Sequence, residues 1–375
     1  MMEKAGRQAN YELLRIIAMW MVITLHYLNH TGMLPAAGED MVLSRAAALL
    51  IESFCIIAVN LYVMISGYFL SLSDFSLTRL LRLLCQVWFY SLLLLLVMGG
   101  LGADIGWQEE GIYSLLPFLF PIRAEHYWFA TSYVILYLLT PILNTAVRHM
   151  GRRSFQVTLA GLLLFFSVSK SVVPLQFVTD SFGYDFGWFI CVYLTGAYFR
   201  RCRAGWEKDT ALSPWLVYIA CSLLTFGTAL WAFYFSGTAG GAAYLTALPF
   251  HYNFILCLAA AAALFCAFGR IRIQEGRASR LICRLSSLTF GVYLFHEHIL
   301  LRSRWIGYIE ACIGRAADLP VPLFLLHWLF SVLLIYAAGS LVDALRLYIF
   351  RLAGSYTAGT PAAVHLKRLE EELKS

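Results

Sequence analysis

The chain has 375 residues, of which 60% are hydrophobic and only 13% charged, and its mean hydropathy is +0.71. Soluble domains run at about 45–50% apolar and about 25% charged, so this composition excludes a disordered chain, a disulfide scaffold and an ordinary water-soluble enzyme, and indicates a protein dissolved in lipid. The net charge of +6 is spread between apolar runs, which argues against a nucleic-acid partner, and Cys55, Cys85, Cys191, Cys221, Cys257 and Cys266 lie inside those runs without disulfide spacing.

A spanning helix needs about 20 predominantly apolar residues. In chain order the qualifying windows are 11–29, 47–70, 83–101, 129–147, 157–174, 184–199, 214–235, 248–268, 286–301 and 322–350. They predict an all-α fold, a polytopic membrane helical bundle of about ten transmembrane helices. Residues 112–120 are apolar but too short to span, and are expected to lie on the membrane surface or to re-enter it. Residues 1–354 then form one transmembrane domain and 355–375 a short charged cytoplasmic tail. No internal repeat is visible, which weighs against a transporter built from related halves.

Lysine and arginine alternate between the connections. Lys4, Arg7, Arg15, Arg79, Arg82, Arg148, Arg152, Arg153, Arg200, Arg201, Arg203 and Lys208 fall on the side of the termini, as do Arg270–Arg284 and the basic tail with Lys367 and Lys374. The other side carries Arg45, Arg123, Arg302, Arg304 and Arg315, and Lys170 falls within a window. Basic residues mark the cytoplasmic face, so both ends are expected there. The first window follows Lys4 and Arg7 as a secretion signal would. No small-residue cleavage site follows it, and it contains Arg15 and His26, so it is expected to stay as a span.

Ionisable groups inside a span are functional candidates. The first window holds Glu12, Arg15 and His26. Eleven residues at ~100° each return to within ~20° of the start, so Arg15 and His26 share one face, ~16 Å apart along the axis. Glu12 lies one turn from Arg15 and is expected to pair with it. The competing explanation is that Arg15 reaches the headgroups while His26 bonds a neighbouring helix. Arg79 and Arg82 are spaced to put two guanidinium groups on one side of the third span, where they suit a phosphate-bearing ligand or a simple topological anchor. The ninth window contains His296-Glu297-His298; two histidines two residues apart face different sides of a helix, and His26 and His30 straddle the outer boundary, so no metal site is expected. Glu125-His126-Tyr127-Trp128-Phe129 reads first as an interfacial aromatic belt, and Asn60, Ser66 and Tyr68 as helix–helix contacts. Asp185, His251 and Asn253, near outer span ends, form no interpretable pattern.

Together these segments resemble the acyltransferase-3 family of bacterial membrane O-acyltransferases. The matching pieces are Glu12-Leu13-Leu14-Arg15 with His26, Ser66-Gly67-Tyr68-Phe69-Leu70, Arg79 with Arg82, and His126-Tyr127-Trp128-Phe129. Tyr137 with Pro141, and Phe290-Gly291-Val292-Tyr293-Leu294-Phe295-His296, complete the set. They occur in the family's order over residues 8–300, and it is the joint order that is specific. Glu12 departs from the Asp of many members but keeps a carboxylate beside Arg15.

The resemblance implies transfer of an acyl group, usually acetyl, from cytoplasmic acyl-CoA to a hydroxyl of a surface glycan or lipid-linked sugar at the cell membrane. It implies no permanently bound cofactor; acetyl-CoA is a co-substrate, and the partners are acyl-CoA, the acceptor glycan and membrane lipid. An imidazole of pKa near 6.5 suits the general base such a reaction needs. His26 is therefore expected to be that base, with Glu12 and Arg15 orienting the site and Arg79 and Arg82 gripping the donor. Trp128, Tyr293 and His296 are expected to line the substrate cavity. Direct transfer and a covalent acyl-histidine intermediate both remain open. The competing class is an exporter of a small polar solute that uses the buried charges as a relay.

Overall fold

The computed structural model describes residues 7–35, 39–124, 126–173, 181–202, 213–235, 242–357, 365 and 368–371. Lys4, Glu125, Arg203, Lys208, Lys367, Lys374 and the end of the fifth window lie outside the described residues.

All regular structure among the described residues is helical. The helices are α1 (Ala9–His30), α2 (Leu43–Cys55), α3 (Ala58–Leu70) and α4 (Leu77–Gly100), then α5 (Trp128–His149), α6 (Arg152–Leu163) and α7 (Phe186–Cys202). They continue with α8 (Pro214–Phe235), α9 (Ile255–Gly269), α10 (Arg277–Ser286), α11 (Thr289–His296), α12 (Trp305–Ile313) and α13 (Val321–Thr357). The 112–120 segment forms two short helical pieces, Gly111–Leu115 and Leu116–Leu119.

Eight helical stretches among the described residues are long and apolar enough to cross a membrane. Two of the expected windows are not among them. One is α7, at 17 residues. The other, the ninth, is not one helix: α10 stops at Ser286, and α11 runs for eight residues before the chain turns at Glu297. Hydropathy sees only a sustained apolar average there, whereas Ser286, Ser287 and Thr289 satisfy backbone or carboxylate partners at the break. The second window is likewise two helices, α2 and α3, joined at Ile56–Ile57.

The first helix is the hub, packing against α2, α3, α9, α10, α11 and α13. Around it, small residues set the closest crossings. A Cβ on Gly67 of α3 would lie 2.1 Å from the Tyr193 carbonyl of α7, and one on Gly196 of α7 would lie 2.2 Å from the Met64 carbonyl of α3. Reciprocal glycines let these backbones touch, as lipid-embedded helices require when no hydrophobic force draws them together. The outward faces stay apolar: Leu96, Ile142, Leu216, Leu326 and Leu341 are largely exposed, as lipid contact demands.

Pro141 sits inside α5 and cannot donate to the Tyr137 carbonyl; the Thr140 hydroxyl donates to that carbonyl instead, at 2.6 Å. The Tyr137 hydroxyl in turn donates to Ser76 O (3.1 Å) and accepts from Ser76 N–H (3.2 Å), clamping the start of α4. Ser76 Oγ caps that helix by accepting from Arg79 N–H. From the far end of the chain, Glu370 hydrogen-bonds Ser76 and Thr78, so part of the expected tail packs against the same helix start.

Candidate active site

One cavity of about 790 Å³ runs between α1, α3, α4, α5, α11 and α13. His26, Arg15, Arg79, Arg82, Trp128 and Tyr293, all singled out in the sequence, line it. The face shared by Arg15 and His26 thus borders one lumen, as the helical period requires. Glu12 stands just behind the wall, 5% exposed, where its carboxylate accepts from Arg15 Nη1 (3.2 and 3.3 Å) and Ser286 Oγ (2.5 Å). Arg7 Nε lies 3.5 Å from the same carboxylate. The Arg15 backbone carbonyl accepts the Tyr62 hydroxyl of α3 at 2.7 Å. The Glu12–Arg15 pair therefore fastens α1 to α10 while its guanidinium faces the cavity.

Arg79 and Arg82 extend from the first turns of α4 and are exposed; among the described residues neither side chain has a hydrogen bond or ion pair. Two free guanidinium forks beside each other are suited to a phosphate.

His296 does not line the cavity; it stands behind His26. The His26 Nδ1 to His296 Nε2 distance is 2.9 Å, and His296 Nδ1 lies 2.6 Å from the Val292 carbonyl. A carbonyl only accepts, so His296 Nδ1 carries hydrogen and its Nε2 is an acceptor. His26 Nδ1–H then donates to that acceptor, leaving the His26 Nε2 lone pair bare. Glu297, which no sequence pattern marks as a site residue, completes the group: its Oε1 lies 3.2 Å from His26 Nδ1 and has no other partner among the described residues. A carboxylate at that position favours the charged form of an imidazole.

His26, His296 and Glu297 also offer ligand atoms that lie within 4.8 Å of one another. No metal site is expected from residues that neighbour one another in the chain, whereas the structure brings together three ligand-capable groups from two distant segments. Their donor–acceptor chain is nevertheless already closed by the 2.9 Å contact between the two rings.

At the same end of α11, aromatic residues form a wall. Trp128 stacks on Tyr252 (centroids 5.9 Å apart, 21° between planes) and packs on Tyr184 at 4.6 Å. The Tyr127 hydroxyl donates to the Leu294 carbonyl at 3.0 Å, and His126 Nε2 accepts from Ile299 N–H at 3.2 Å, so this segment pins the turn that carries His296 and Glu297. Its aromatic character serves the site as well as the membrane boundary. Burial, with His298 beside it, pushes the His126 imidazole down to about 3. His298, beyond the turn at Glu297, faces the Ser91 carbonyl at 3.2 Å instead of His26.

Two isolated candidates pair elsewhere. Lys170 is buried and donates to Asn253 Oδ1 at 2.9 Å, and Arg45 pairs with Glu39. Neither borders the cavity.

The model of the acyltransferase-3 family, described as an acyltransferase domain, matches residues 8–344, nearly the whole chain. No curated protein and no solved structure matches it. The match takes in every residue lining the cavity from Arg15 to Tyr293, together with Glu12, His296 and Glu297 behind it. With helices fit to cross a membrane several times and a family match of this extent, the chain belongs to the acyltransferase-3 family and is a multi-pass membrane acyltransferase.

Proposed function

We propose that the protein transfers an acetyl group from acetyl-CoA to a hydroxyl of a cell-surface glycan or lipid-linked saccharide, at the inner cell membrane, with His26 as general base. The observation that carries this reading is a single cavity bordered both by the unpaired Arg79 and Arg82 and by the His26 ring. The distribution of lysine and arginine supports a cytoplasmic position for the arginines and for both termini.

In this reading the donor's phosphates sit against Arg79 and Arg82, and its pantetheine arm reaches past Tyr62 and Phe290 toward His26. The acceptor sugar lies against Trp128 and Tyr293, whose apolar faces suit a sugar ring. His26 Nε2 takes the proton of the acceptor hydroxyl as its oxygen attacks the thioester carbon. The carbon–sulfur bond then breaks, and the proton passes to the departing CoA thiolate, leaving ester, free thiol and neutral imidazole. Glu297 steadies the imidazolium in between, and His296 holds its tautomer. Glu12 and Arg15 fix the wall from which His26 projects. No bound cofactor is required; acyl-CoA is consumed as a substrate.

Family membership disfavours the exporter alternative. The test is incubation of the purified protein in vesicles with labelled acetyl-CoA and surface glycan, paired with mass spectrometry of glycans from cells lacking the gene. Label in the glycan and a missing acetyl mass are expected. Unchanged glycans together with no release of CoA would overturn the assignment.

A further inference from the structure

A further cation of the cavity wall stands deeper than Arg79 and Arg82. Arg346 of α13 lines the same lumen yet is only 6% exposed. Asp343 holds it side-on, accepting from Nε at 2.7 Å and Nη2 at 3.0 Å. Asp343 is fully buried and is itself tied to α4, accepting from Gln86 Nε2 and the Tyr90 hydroxyl, both at 3.0 Å. On its remaining side is Gly291, where any Cβ would lie 2.1 Å from the carboxylate. Asp343 thus locks three helices and aims one guanidinium.

That guanidinium has five N–H donors, and Asp343 occupies one side of the fork. The guanidinium carbon lies 5.1 Å from the centre of the Phe350 ring, and among the described residues the remaining donors have no protein acceptor and are open to the cavity. Buried donors are rarely left without an acceptor. The charge of Arg346 is matched by Asp343, so its contribution is direction; Arg79, Arg82 and Arg351 on the same cavity supply the net positive field. Gln86 lies four residues beyond Arg82 on α4, so the Asp343 carboxylate it bonds, which aims Arg346, sits ~6 Å further along α4 than Arg82.

We propose that Arg346, positioned by Asp343, binds the diphosphate of the acyl-CoA donor, while Arg79 and Arg82 meet the 3′-phosphate nearer the mouth. This inference rests on the acyl-CoA reading above. The diphosphate is the charged group closest to the pantetheine arm, so holding it sets how far the thioester reaches toward His26. Arg346 is in this sense a specificity-determining residue: it selects a donor with a diphosphate handle over a bare pantetheine thioester.

The test compares kcat/KM for acetyl-CoA, 3′-dephospho-acetyl-CoA and acetyl-pantetheine in the wild type and in Arg346→Gln and Arg346→Lys, with unfolding temperature as a folding control. Gln86 and Tyr90 still donate to Asp343 in the Gln variant, while Arg346→Lys also keeps a counter-charge beside the buried carboxylate. Arg346→Gln is expected to lose about tenfold or more of the preference for acetyl-CoA over acetyl-pantetheine, through KM, because charge-assisted hydrogen bonds are removed. It should keep the discrimination between acetyl-CoA and its 3′-dephospho form. Arg346→Lys should fall between the two. An equal loss with every donor, an unchanged preference, or loss of 3′-phosphate discrimination alone overturns the inference. A wild-type protein that uses none of these thioesters overturns the function and this inference together.

Discussion

His26 Nδ1 and His296 Nε2 lie 2.9 Å apart, although 270 residues separate them in the chain. The contact has a direction. Because His296 spends its own Nδ1–H on the Val292 carbonyl, the proton between the rings belongs to His26, and the bare nitrogen of His26 is the one left for chemistry. The Glu297 carboxylate beside the same Nδ1 adds a charge that is useful only once His26 is protonated.

His26→Ala is accordingly expected to lower transfer by about 10²–10⁴-fold while the protein still inserts and folds. Glu297→Gln should lower kcat with little change in the KM for acetyl-CoA, since Glu297 stands behind His26 and away from the arginines. Steady-state kinetics on purified variants check both. Wild-type turnover in His26→Ala would remove this ring from the mechanism.

Arg79→Ala combined with Arg82→Ala should raise the KM for acetyl-CoA by about tenfold or more, with a much smaller change for the acceptor. Both side chains lack protein partners among the described residues, so their removal should leave the unfolding temperature nearly unchanged. Equal shifts in donor and acceptor KM would return them to the role of membrane anchors.

The clustered His26, His296 and Glu297 invite a metal test. Because the two imidazoles are already joined to each other, dialysis against EDTA is expected to leave transfer intact. A loss that zinc restores would make the cluster a metal centre instead.

Packing at the α3–α7 crossing is sensitive to a single carbon. Gly196→Ala would drive its Cβ into the Met64 carbonyl and should lower stability by about 1–3 kcal/mol. Gly99→Ala, which meets nothing within 4 Å, is the matched control. Thermal unfolding in detergent should separate the two variants.

His126 bears on acid stability. Its folded imidazole is pushed down to about 3 by burial, against about 6.5 for an exposed ring. The unfolded chain therefore binds a proton that the folded one refuses. Stability should fall as pH drops below about 6.5 and keep falling toward about 3, where the folded ring would also protonate. Unfolding temperatures at pH 7 and pH 5 measure the loss, and His126→Gln should reduce the difference between them.

The amino-acid sequence by itself determined an all-helical chain with many apolar spans, because hydropathy and the helical period are local properties. For the same reason Glu12, Arg15 and His26 were legible as one stripe: all three lie on one helix, and eleven residues bring the face around. The ordered motifs further marked the acyltransferase-3 family. What only the tertiary structure decided is which distant groups join that stripe. His296 and Glu297 reach His26 because the ninth window breaks into α10 and α11, a break that average hydropathy smooths over. Arg346 lies three residues from Asp343 within a long apolar run, where nothing in the local pattern separates it from a topological charge. Its approach to the lumen depends on Gln86 and Tyr90 of α4, more than 250 residues earlier, receiving the Asp343 carboxylate. Contacts between helices follow from packing and hydrogen-bond satisfaction in three dimensions, and no local pattern along one helix encodes its partner on another.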